Sequence, residues 1–153
     1  MTETGKYILF YDGGCRFCNR WVQWVVDRDE RKLFRFASLE SDFYIQMKAY
    51  LNNDRSEDSI AIIEIEDLLR NKRFARLKFR SKAVKCLFVK LQPNSFIYKL
   101  LKVTPRIISD FIYICIAGIR KFLPVPDCRI YTKEEKELFL NKRDFNDFIS
   151  LSI

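Results

Sequence analysis

The sequence contains no histidine, no uninterrupted apolar run as long as a membrane span, and no acidic residue at all between Leu68 and Ser109. Each absence excludes something. A structural zinc site needs four Cys or His ligands, and only Cys15 and Cys18 stand at Cys-X-X-Cys spacing, so no metal site is expected. The most apolar stretch, Ile107 to Ile119, is interrupted or bounded by Arg106, Asp110 and Arg120 and falls short of the roughly twenty apolar residues that cross a bilayer. The start, Met1-Thr2-Glu3-Thr4-Gly5-Lys6, lacks the apolar core and cleavage site of a signal peptide, and this predicts a cytoplasmic protein whose thiols are kept reduced. Internal repeats and low-complexity segments are also missing.

What is present centres on Lys6 to Trp21. Five consecutive apolar or aromatic residues, Tyr7 to Tyr11, read as a buried strand, and Asp12-Gly13-Gly14 reads as a turn whose glycines are free to take positive φ. A helix follows, because Phe17, Trp21, Trp24 and Val25 recur at the helical period. Both cysteines then fall in its first turn. The first amides of a helix lack intrahelical partners and favour an anion, so a thiolate is stabilised there and a thiol pKa of about 8.5 can drop to roughly 3.5–7.5. Cys15 is the expected nucleophile, with Arg16 adding positive charge nearby. Cys18, a turn further in and facing the apolar stripe, is expected to be less exposed and to resolve the mixed disulfide. The plain alternative is a pair of packing cysteines, which five cysteines in 153 residues can produce by chance. Such a pair would have no need of a strand, a glycine turn and a helix start around it, so redox chemistry is favoured.

The run Tyr11-Asp12-Gly13-Gly14-Cys15-Arg16-Phe17-Cys18-Asn19 resembles the signature of the DCC family of thiol-disulfide oxidoreductases, D-x-x-C-x-x-C, with Asp12, Cys15 and Cys18 matching one for one. Phe36 to Ser41 is similar to a second family stretch, and Tyr113 to Arg120 with Cys128 resembles its C-terminal part. The resemblance implies a thioredoxin-like fold and dithiol chemistry but supplies no substrate; no cofactor is expected, and the expected partner of a dithiol is a protein or small-molecule disulfide. It also exposes a departure. Thioredoxin-like enzymes carry a cis-proline beside the cysteines, before the third strand, whereas this chain has Asp58-Ser59 there and no proline before Pro93. Ser59 is therefore a supporting candidate. Asp12 has two open roles, as a proton acceptor for Cys18 or as a bonding partner of turn amides.

The rest of the chain extends the α/β pattern. Leu33 to Ala37 reads as a second strand, Ser41 or Asp42 as the cap of a helix to Leu51, Ser59 to Ile65 and Phe74 to Phe79 as a hairpin, and Ser81 onward as a helix stopped by Pro93. The order βαβαββα suits a thioredoxin-like core over 1–92, with a helical extension over 93–153 packed on it as one domain. In the extension, Phe96 to Leu101 is a short helix. Thr104-Pro105 opens a second one, apolar nearly all round and expected to be buried, and Thr132 with Glu135 forms a capping box for the last helix. Cys86, Cys115 and Cys128 read as core or surface thiols. Leu68 to Ser109 holds twelve bases, whereas the chain outside it has sixteen bases against twenty acids. The rival to an enzyme is thus a binding module that contacts an anionic partner through 68–109. Nucleic acid is not the expected partner, because these bases are spread through amphipathic elements; peripheral membrane contact stays open.

Overall fold

Because Tyr7 to Tyr11 is apolar without alternation, it belongs in the middle of a sheet covered on both faces. It lies there in the computed structural model, which describes residues 5–52, 59–70, 75, 77–120, 122–124 and 130–150. Strand β1 (Tyr7–Tyr11) runs parallel to β2 (Phe34–Ser38) across a crossover through helix α1 (Arg16–Arg28). After α2 (Asp42–Tyr50), β3 (Ala61–Glu64) returns antiparallel to β1, and β4 (Lys78–Phe79) pairs antiparallel with β3. The sheet order is β2-β1-β3-β4. This mixed α/β arrangement is compatible with the expected thioredoxin-like frame, with one insertion, helix α3 (Ile65–Arg70), between β3 and β4.

Side chains alternate across the sheet and build two core layers. Tyr7, Leu9, Phe34, Phe36 and Ile62 meet Val22 and Val25 of α1 and Leu87 of α4 (Ser81–Leu91). Ile8, Phe10, Ala37 and Ile63 meet Phe43, Tyr44 and Met47 of α2 on the other face. In α1 the deepest residues are Val22, Gln23 and Val25. Phe17, Trp21 and Trp24 of the predicted stripe are half-buried, and the Gln23 side chain is satisfied by Arg20, which donates to it at 2.9 Å.

Several boundaries differ from expectation. The third strand ends at Glu64, one ladder bond from Ile65 to the Lys6 carbonyl at 2.9 Å following it, because the chain turns into a helix whose first turn holds the negative charge of Glu66 and Asp67. Its expected hairpin partner survives as Lys78–Phe79, while Phe74 and Arg76 lie outside the described residues. Ser41, not Asp42, caps α2. Thr104 closes α5 (Phe96–Val103) by donating its amide to Leu100, so Pro105 becomes the cap of α6 (Arg106–Ile119), one residue later than predicted. The Thr132–Glu135 capping box is present, but it caps the single-turn α7 (Lys133–Lys136), and the last helix is α8 (Lys142–Ser150). Between them the chain pairs with the outer edge of β2: Phe36 donates to the Leu138 carbonyl at 2.9 Å and Leu140 to that of Phe36 at 2.7 Å. This covers an edge that would otherwise offer unpaired backbone groups. Phe139 packs on Phe36, and Phe145 of α8 on Phe43.

The largest correction concerns α6, which is not buried. Ser109 alone among its described residues is, while Ile107 is 84% and Phe111 66% exposed. The side turned to the body carries its polar contacts. Asp110 accepts a hydrogen bond from Ser81 of α4, and the Tyr113 hydroxyl accepts one from the Ile60 amide at 3.0 Å. Apolar content therefore did not decide which face found a neighbour.

Truncation should separate the two settings. Phe10→Ala, at a fully buried ring, is expected to lower stability by about 3–5 kcal/mol, and Ile107→Ala to stay within about 0.5 kcal/mol of the parent in urea unfolding.

Candidate active site

The turn after β1 is shaped by close approach. Neither Gly13 nor Gly14 uses the positive φ open to a glycine. Gly13 is required for another reason: a Cβ there would stand 2.7 Å from Ser38 Oγ and 3.2 Å from Glu40 Oε2. Its amide donates to Glu40 at 3.2 Å and its carbonyl accepts from Asn19 at 2.8 Å. The Ser38 hydroxyl also bonds Glu40 and holds that carboxyl below its usual range. A Cβ on Gly14 would meet nothing nearer than Asp12 Oδ1 at 3.5 Å.

Cys15 occupies the cap position of α1, in extended conformation, and its Sγ accepts the Cys18 amide at 3.3 Å. Its own amide bonds the Asp12 carbonyl at 3.3 Å. The sulfur thus sits where helix amides can stabilise a thiolate. Exposure, however, is the reverse of expectation. Cys15 is 2% exposed, whereas Cys18 is half-buried. The cap position points the first sulfur back over the helix start beneath the turn, and Cys18 is directed to the side where α6 crosses. Burial pushes the Cys18 thiol up to about 12, with the hydrogen bond to Cys15 acting the same way and the Arg120 charge opposing.

Arg120, at the C-terminal end of α6, completes the group. It donates to Asp12 Oδ2 at 2.9 Å and to Cys18 Sγ at 3.5 Å, with side chains of Arg120 and Asp12 only 9% and 16% exposed. Asp12, Cys15 and Cys18 each place one ligand-type atom within 4.8 Å of the others. A guanidinium bonded to two of the three opposes a cation at that position. Arg16 is exposed at the first position of α1, and Arg120, from more than a hundred residues away, contacts the site. Ser59 is buried before β3, but its neighbour Ile60 is the residue that lines the site. Asp58 and Cys128 lie outside the described residues. Cys86 is half-buried with its thiol pushed up by burial, and Cys115 is exposed on α6.

A cavity of about 200 Å³ adjoins Cys18. Leu9, Phe17, Trp21, Leu87, Ile112 and Ile116 give it an apolar wall, and Asp12, Tyr113 and Arg120 a polar end. Arg120 and this cavity were not read as part of the site from the sequence. The available signal was the likeness of Tyr113 to Arg120 to a family stretch.

Two free thiols at Cys-X-X-Cys spacing, set at the start of the helix after the central strand of a mixed sheet, define an α/β dithiol protein. Comparison with known sequences gives the family: the profile of the DCC1-like thiol-disulfide oxidoreductases matches residues 9–125, and the chain belongs to that family. It is 25% identical over 118 residues to a chloroplastic DCC family protein of Arabidopsis thaliana, across 77% of this chain and 64% of that relative's length. It is 29% identical over 137 residues to the Bacillus subtilis protein YuxK, across 87% of this chain and 93% of YuxK. No solved structure matches the chain.

The turn geometry makes the two glycines unequal. Gly13→Ala is expected to destabilise by about 1–3 kcal/mol, since Ser38 or the backbone must shift, and Gly14→Ala to stay within about 0.5 kcal/mol. Paired urea melts measure the difference.

Proposed function

We propose that the protein is a thioredoxin-like dithiol–disulfide oxidoreductase, with core 1–92 and extension 93–153 acting as one unit. The observation that carries this reading is the Cys15 sulfur accepting the Cys18 amide at the cap of α1, with the Cys18 thiol beside it held protonated by burial. Cys15 as thiolate attacks one sulfur of a substrate disulfide; the S–S bond breaks, a mixed disulfide forms and the first substrate thiolate leaves. Cys18 then loses its proton to the Asp12 carboxylate, which lies within 4.8 Å, and Arg120 stabilises the charge that develops on sulfur. Attack by Cys18 on Cys15 Sγ releases the second substrate thiol and leaves a Cys15–Cys18 disulfide. The substrate gains two electrons and the protein loses two. All four described cysteines are free, which suits a reducing compartment.

One observation favours exchanged roles: Cys18 lines the cavity, whereas Cys15 is nearly covered. Capture decides between them. Cys18→Ser is expected to accumulate mixed disulfides through Cys15, and Cys15→Ser to accumulate none, on non-reducing gels after mild oxidant. Adducts on Cys15→Ser alone establish the exchanged order. Absence of adducts on both folded variants would falsify the redox reading.

The pH dependence has a definite sign. A thiol whose pKa is raised stays protonated, so alkylation of Cys18 in Cys15→Ser should be slow at neutral pH and climb only well above the ordinary thiol range. Iodoacetamide rates against pH measure it.

A further inference from the structure

The helices α5 and α6 present their apolar sides outward. Phe96, Leu100 and Val103 of α5 are 78%, 56% and 83% exposed, and Ile107, Phe111 and Ile114 of α6 are 84%, 66% and 52% exposed. The inner side of α6 carries its polar contacts beside the cavity-lining Ile112 and Ile116: Ser109 bonds the Pro105 carbonyl, Asp110 bonds Ser81, and Tyr113 accepts the Ile60 amide. The two charges within α6, Arg106 and Asp110, pair at 3.4 Å, which leaves the outward arc without charge. A helix folded on water alone would show the opposite arrangement. Isolated exposed apolar residues need no explanation, but two successive helices turned this way do.

We propose that the outward faces of α5 and α6 rest on the surface of an anionic lipid bilayer. Charge selects this occupant. The segment Leu68 to Ser109 carries twelve bases and no acid, and Lys99, Lys102 and Arg106 stand exposed beside the apolar faces. Long basic side chains next to an apolar helix face match an interface whose hydrocarbon lies beneath negative headgroups. A second copy of the chain on the same face would set these bases against their own equivalents. Crossing the bilayer is not the geometry, because no helix among the described residues is long and apolar enough for it. Ile112 and Ile116, at 50% and 41% exposure, lie on the opposite side of α6 and line the cavity beside Cys18, so the dithiol site is on the side of the helix turned away from the bilayer. The inference does not depend on the redox reading, and its test involves no thiol chemistry.

Flotation with vesicles tests it, using phosphatidylcholine alone and phosphatidylcholine with about one third phosphatidylglycerol. The protein is expected to float with the mixed vesicles and to remain soluble with the neutral ones. Two variants, Ile107→Glu with Phe111→Glu and Lys99→Glu with Lys102→Glu, should each lower partition at least about tenfold. Near-ultraviolet dichroism of the Trp21–Trp24 pair checks that they remain folded. Failure to float with mixed vesicles, or equal partition into both kinds, overturns the proposal. So does a dimer by light scattering that Phe111→Glu dissociates, since a second copy then covers the face.

Discussion

The contact on which the rest of this structure depends is the ion pair between Arg120 and Asp12. A guanidinium taken out of water needs opposite charge and aligned hydrogen bonds, and removing either partner leaves the other buried alone. Here the 2.9 Å bond to Asp12 is joined by a contact to the Cys18 sulfur. The pair ties the end of α6 to the turn between β1 and α1. It thereby sets the position of the whole helix over the cysteines, encloses the cavity beside Cys18, and determines which side of α6 looks outward.

That arrangement couples two features that are usually separate. The first turn of α1 needs only local structure to present Cys15 to backbone amides. Making Cys18 different from Cys15 needs tertiary structure, because the raised thiol pKa comes first from burial against the elements that close over it. The same closure puts the Arg120 guanidinium against the Cys18 sulfur. Local geometry thus sets the surroundings of Cys15, and packing those of Cys18.

The polar inner side of α6 follows from the same cause. Asp110, Tyr113 and Arg120 are drawn to partners on α4, just before β3 and in the β1–α1 turn, so Ile107, Phe111 and Ile114 have only the outside left to face. Helices α5 and α6 present an exposed apolar surface, while the return of the chain to β2, at Leu138 to Leu140, protects the sheet edge and adds Phe139 to the core.

Much of this was legible in the residues. The unbroken apolar run of Tyr7 to Tyr11 specifies a central strand, the spacing of Phe17, Trp21 and Val25 specifies the helix after it, and Asp12-X-X-Cys15-X-X-Cys18 specifies the family, because each signal lies within one or two elements. Ser41 and the Thr132–Glu135 box were readable as caps for the same reason. Other properties depend on contacts between distant segments. The exposure of Cys15 against Cys18 reversed because the cap position buries the first sulfur. Gly13 is needed for the approach of Ser38 and Glu40, which sequence spacing does not record. Whether Ile107 to Ile119 is core or surface was undecidable from hydropathy, since an apolar helix states that it avoids water without stating where it is covered. By itself, then, the sequence determined the strand–turn–helix that carries the dithiol. Only the tertiary structure decided that Arg120 would join it and that the apolar side of α6 would face out, because burying a charge requires a partner and the partner was 108 residues away.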